Sequence, residues 1–79
     1  MTWTDQIVAA FQNLSGETDY DTLYRELGRM RGQTLTDAQK ATVRKEIERK
    51  SSDSENWDRT ADLFYSVQIG SGRWGLRDS

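Results

Sequence analysis

The chain contains no histidine, no cysteine and no proline among its 79 residues. Without cysteine there can be no disulfide and no thiolate metal site. Without histidine the commonest general base and the commonest metal ligand are both missing. No nucleophile–base pair of the Ser–His or Cys–His kind can form, so covalent hydrolytic chemistry of that type is excluded. No apolar run approaches the ~18 residues of a membrane span. No basic-plus-apolar signal segment opens the chain, so the expected location is intracellular and by default cytoplasmic. No internal repeat or low-complexity tract appears, and no Gly-rich phosphate loop follows a strand.

What is present is polar but not disordered. Charged residues make up 30% and hydrophobic residues 34%, and three Trp, three Tyr and two Phe supply core material. The length fits a single domain over residues 1–79. A domain this small buries only ~60% of its unfolded surface, so its packing must be simple.

The net charge of -2 is unevenly spread. Residues 1–24 carry Asp5, Glu17, Asp19 and Asp21 and no basic residue. Residues 25–50 carry Arg25, Arg29, Arg31, Lys40, Arg44, Lys45, Arg49 and Lys50 against Glu26, Asp37, Glu46 and Glu48, a local excess of +4. Residues 51–79 return to -2. A basic middle between acidic flanks is the pattern of a local anion-binding face; a merely solvated helix surface is the plain alternative.

Periodicity predicts three helices and a hairpin. Ile7, Val8, Phe11 and Leu14 recur at helical spacing from Trp3 to Leu14, with Thr2 or Thr4 as cap and Ser15-Gly16 as stop. Asp19-Tyr20 reads as a short extended segment. Asp21 then caps a second helix that ends at Gly32 and turns Leu23, Tyr24, Leu27 and Met30 inward. Thr36-Asp37-Ala38-Gln39 is a capping box, with Leu35 as its hydrophobic staple, opening a third helix to about Lys50. Ser51 to Ser54 ends it, because these side chains compete for backbone groups. Leu63 to Ile69 and Arg73 to Arg77 are strand-like around Gly70-Ser71-Gly72. The predicted class is α+β: a winged helix-turn-helix, three helices followed by a C-terminal β-hairpin wing.

At about 100° per residue, Thr36, Gln39, Lys40, Val43, Ile47 and Lys50 share the core side of the third helix. Ala38, Ala41, Thr42, Lys45, Glu48, Arg49 and Ser52 share the other. That second face suits a major groove: small residues permit close approach, methyls can meet thymine, and cations can reach phosphate or guanine.

Three segments together carry a family resemblance. They are Thr42-Val43-Arg44-Lys45-Glu46-Ile47-Glu48-Arg49-Lys50-Ser51-Ser52-Asp53-Ser54, Asp62-Leu63-Phe64-Tyr65-Ser66-Val67, and Gly70-Ser71-Gly72-Arg73-Trp74-Gly75-Leu76-Arg77. Over roughly residues 35–77 the chain resembles winged-helix domains fused to restriction-type endonucleases, the broad class that includes the HARE-HTH domains. The resemblance implies a module that directs a fused or associated nuclease to double-stranded DNA. Some such domains in methyl-directed endonucleases read N6-methylated adenine. On that pattern Arg44, Arg49 and the Ser51–Ser54 stretch, with Ser52 and Asp53, would lie at the groove and Trp57 nearby.

The remaining candidates divide between function and packing. Trp57 can line a methyl pocket or pack under the hairpin. Arg73, beside the hairpin tip, can touch phosphate or serve as an ordinary edge-strand charge. Trp3 and Trp74 read as packing residues. Asp37, Glu48 and Lys50 imitate a nuclease pattern, but on one helix Glu48 and Lys50 point about 200° apart and cannot converge on a metal. No catalytic residue, metal site or cofactor is expected. The alternative to a DNA-binding module is a winged helix whose third helix docks on a protein partner.

Overall fold

The computed structural model describes residues 2–68 and 70–77. In chain order these form α1 (Trp3–Asn13), β1 (Glu17–Asp19), α2 (Tyr20–Arg31), α3 (Asp37–Arg49), β2 (Phe64–Gln68) and β3 (Arg73–Leu76). The three strands make one antiparallel sheet in the order β1-β3-β2. Three helices with a C-terminal hairpin, the hairpin's second strand also paired to a short strand between the first two helices, make this an α+β winged helix.

Local chemistry explains where each helix begins. The Thr2 hydroxyl accepts from the Asp5 amide at 3.1 Å and opens α1. Asp19, not Asp21, caps α2: its carboxylate accepts from the Thr22 amide at 2.8 Å. The expected extended segment is accordingly one step earlier, at Glu17–Asp19, and Tyr20 already belongs to the helix. Pairing with β3 explains the shift, since it holds Asp19 in extended backbone and leaves its side chain to cap. The predicted capping box of α3 is complete, with Thr36 accepting from the Gln39 amide and Gln39 accepting from the Thr36 amide, at 3.1 and 2.9 Å. Gly32 ends α2 in the left-handed region, at φ 79°, where glycine has no steric penalty.

The core lies where the three helices meet the sheet. Ile7, Ala10, Phe11, Leu23, Leu27, Leu35, Val43, Ile47, Phe64 and Leu76 are buried. Phe11 and Phe64 pack at a centroid distance of 5.3 Å and so join the first helix to the hairpin. Trp3 and Trp74 are half-buried against this cluster. Trp57 is not part of it; its indole N–H donates to the Ala61 carbonyl at 2.9 Å, inside the loop that follows α3.

The sheet is closed by a long-range match. Glu17, Thr18 and Asp19 pair with Gly75, Trp74 and Arg73. The Leu76 amide donates to the Gly16 carbonyl at 2.7 Å and extends the match by one residue. In the hairpin, Ser66 faces Trp74 while Gln68 faces Arg73, a bulge at Val67 that bends the wing. A Cβ on Gly75 would strike the Tyr65 ring, so glycine is needed where that ring crosses the central strand. Ile69, expected as the end of the first hairpin strand, lies outside the described residues.

The α3 cap can be tested alone. Thr36→Ala should cost about 1 kcal/mol and Thr36→Ser much less. For a domain of this size about 1 kcal/mol lowers the melting temperature by roughly 4–8 °C, readable by circular dichroism. An unchanged melting temperature in Thr36→Ala would mean that packing alone sets the start of α3.

Candidate nucleic-acid interface

The outward side of α3 forms the centre of the candidate site. Val43 and Ile47 are buried and fix the rotation of the helix. That rotation leaves Ala38, Ala41, Arg44, Lys45 and Arg49 exposed, with Thr42 and Glu48 half-buried on the flanks. The Thr42 hydroxyl is occupied by the Ala38 carbonyl at 3.1 Å.

Cations on this surface differ in what they already hold. Arg49 lies 3.9 Å from the Glu46 carboxylate and 3.8 Å from that of Asp58. Lys50 reaches Asp58 at 3.2 Å and the Thr60 hydroxyl at 2.9 Å. Arg73 is paired with Glu17 at 3.2 Å and Asp19 at 3.9 Å. Arg77 bonds Asp62 at 2.8 Å and Asp53 at 3.3 Å. Arg25, Lys40, Arg44 and Lys45, by contrast, form no ion pair among the described residues. Lys40 sits over the Tyr24 ring and Arg44 over the Tyr20 ring, at 5.6 and 5.5 Å. Tyr20 and Tyr24 stack on each other at 5.9 Å, and Tyr20 leans on Trp74 at 6.4 Å. The result is an aromatic rail along α2 and β3 that supports two cations of α3.

Sequence reading missed this rail. It placed Tyr24 inward, which holds in that Tyr24 packs against the core, but put Tyr20 in an extended segment and Lys40 on the core side. The available signal was the match of two i,i+4 pairs, Tyr20/Tyr24 and Lys40/Arg44, whose meeting across two helices depends on how those helices cross. Burial pushes the Tyr20 phenol up to about 12, with the Glu48 charge adding to the effect, so it stays protonated through the neutral range.

Several residues expected at the groove are placed otherwise. Ser51 is completely buried, with its hydroxyl accepting from the Asp53 amide at 3.2 Å, so it cannot reach a ligand. The Asp62 carboxylate accepts from both the Ser52 amide and the Ser52 hydroxyl, at 2.9 and 2.7 Å. Asp53 accepts from the Ser66 amide at 2.9 Å and meets Arg77. The Ser51–Ser54 stretch thus braces the wing against the end of α3. Trp57 lines none of the hollows beside α3. Glu48 and Lys50 are engaged apart, by Asn56 and by Asp58 with Thr60.

Two of the hollows beside the exposed helix bear on its cations. One, of about 400 Å³, separates α3 from the hairpin and is lined by Tyr20, Arg44, Glu48, Ser66, Trp74 and the tip residues Gly70, Ser71 and Gly72. The other, of about 530 Å³, lies between α2 and the turn into α3 and is lined in part by Arg25, Arg29 and Lys40. Among the described residues no group of three or more acidic side chains could hold a metal ion, and no helix is long and apolar enough to cross a membrane. No protein-family model, curated protein or solved structure matches the chain.

The clasp behind α3 gives the domain an acid-sensitive element. Hydrogen bonds from the Thr60 hydroxyl and amide, then the Lys50 ammonium, lower the Asp58 carboxyl from its ordinary 3.8 to about 2. A folded-state value below the unfolded one means the stabilisation is complete above pH 4–5 and is lost as pH falls toward about 2. Asp62 is shifted in the same direction by the Ser52 amide and hydroxyl, with Arg77 contributing less. Denaturant titrations between pH 6 and 2 should show stability falling on acidification, and Asp58→Asn should flatten part of that fall. An identical pH profile in Asp58→Asn would show that the clasp adds nothing to folding.

Proposed function

We propose that this domain binds double-stranded DNA, with α3 entering the major groove. The observation that supports this best is the division of the cations. Arg29, Arg49, Lys50, Arg73 and Arg77 are paired with carboxylates, whereas Arg25, Lys40, Arg44 and Lys45 form no ion pair among the described residues. Unpaired cations clustered on a protein with a net charge of -2 face an electrostatic demand that its own acids leave unmet, and duplex phosphates meet it. Ala38 and Ala41 beside them keep the helix surface low enough for close approach.

Each cation has a different expected share. Lys45, at the centre of the exposed side, and Arg44, held on the rail, are contact residues. Arg49 contributes less because Glu46 and Asp58 compete for it. Arg73, held by Glu17 and Asp19, contributes less than a free wing arginine would. The resemblance makes a fused or associated nuclease the expected user of such a module. Reading of N6-methyladenine would here rest on Ala38, Ala41 and the Thr42 methyl rather than on Trp57. One buried methyl is worth ~0.8 kcal/mol, a preference of less than tenfold.

The experiment is duplex retardation across a salt series. Affinity should fall steeply as salt rises, and Lys45→Ala and Arg44→Ala should each reduce the salt slope by about one unit with the fold intact. Arg73→Ala should change it by less. Matched duplexes with and without N6-methyladenine measure the methyl contribution in the same assay. No retained duplex at low salt, or equal retention in the Arg44→Ala/Lys45→Ala double variant, would refute DNA binding through α3 and favour a protein partner for that surface.

A further inference from the structure

Glu48 stands in an unexpected place for a surface that only binds phosphate. It lies on α3 one turn after Arg44 and lines both the hollow between α3 and the hairpin and a further hollow bounded by Asp53, Ser54, Glu55 and Asn56, each of which also includes Trp74 and Ser66. It makes no ion pair among the described residues. Arg44 stacks on Tyr20 instead of closing the i,i+4 pair. The Asn56 carboxamide donates to Glu48 Oε2 at 3.1 Å, which holds the carboxylate in position. Oε1 has no hydrogen-bond partner among the described residues.

A carboxylate beside a phosphate backbone is repelled, and it can be retained in a contact surface where it meets a hydrogen-bond donor. The major-groove edges offer few. Guanine presents two acceptors there, and thymine an acceptor and a methyl. Adenine presents an amine beside the N7 acceptor. Cytosine alone presents an amine with no acceptor next to it. We infer that Glu48 is a specificity-determining residue that accepts a hydrogen bond from the N4 amine of a cytosine, with Asn56 as its positioning residue. The inference rests on the reading of α3 as the groove-bound helix.

Selection from a random duplex pool tests it, comparing the native chain with Glu48→Gln, Asn56→Ala and Lys45→Ala. The native chain should enrich cytosine at one position by about 5- to 100-fold over other bases. Glu48→Gln should move that preference to adenine, because a carboxamide pairs with both N6 and N7. It should also bind random duplex more tightly, since one negative charge is gone. Asn56→Ala should blur the preference at the same position and no other, an effect that mere loss of loop stability would not produce. The same base preference at every position in native and Glu48→Gln pools overturns the inference. If Lys45→Ala nevertheless weakens binding, DNA recognition through α3 stands and only the role of Glu48 falls. If no duplex is retained by the native chain, both fall together.

Discussion

Pairing of three residues, Glu17–Asp19, with the last strand is the contact on which the rest of the domain depends. It joins the first quarter of the chain to the last and makes β3 the central strand of the sheet. Because β3 is held on both sides, its residues face the helices at a set height, and Phe64 and Leu76 enter the core against Phe11. The same pairing holds Asp19 extended, so that it caps α2, and brings Glu17 and Asp19 up to Arg73. One short strand therefore sets the start of a helix, the edge of the sheet and the charge state of the wing base. Closing so long a loop costs entropy, and it is offset by burial of the apolar side chains that the closure brings together.

A second set of contacts organises the far end of α3. Ser52, Asp53, Asp62 and Arg77 form one hydrogen-bonded cluster, and Asp58 gathers Arg49, Lys50 and Thr60. Asp53 also caps the Ser66 amide of β2, an edge strand whose free backbone groups would otherwise be open to another chain. Individually, exposed ion pairs contribute little to stability. Their larger consequence here is selective: they engage Arg49, Lys50 and Arg77, while Arg25, Lys40, Arg44 and Lys45 have no carboxylate partner among the described residues. An overall acidic protein thereby keeps one face with unpaired positive charge.

That face has a built support. Tyr24 lies under Lys40 and Tyr20 under Arg44, with Trp74 against Tyr20, and a side chain already held in place gives up less conformational freedom on binding than a free one. Glu48 interrupts the basic surface at the wing side. In the proposed complex the rail supplies affinity and Glu48 supplies choice among base pairs, two tasks that place opposite demands on charge and are kept one helical turn apart.

The helices, the capping box at Thr36, the stop at Gly32 and the C-terminal hairpin were legible from spacing and cap chemistry, because those signals act within four residues of each other. The outward position of Ala38, Ala41 and Lys45 followed from the same periodicity. Short-range signals put the extended segment one step late, at Asp19-Tyr20, because Glu17–Asp19 carry no alternating pattern and become a strand through β3. They misassigned Asp21 for Asp19 for the same reason. They left Ser51 at a surface when it is buried, and they missed the Tyr20–Tyr24 rail. Local periodicity thus carried the three helices, the hairpin and the outward face of α3. The fold settled the pairing of the other cations: Arg29 and Arg49 have acidic neighbours on their own helices, but Glu17 reaches Arg73 only when the sheet closes, because the two lie at opposite ends of the chain.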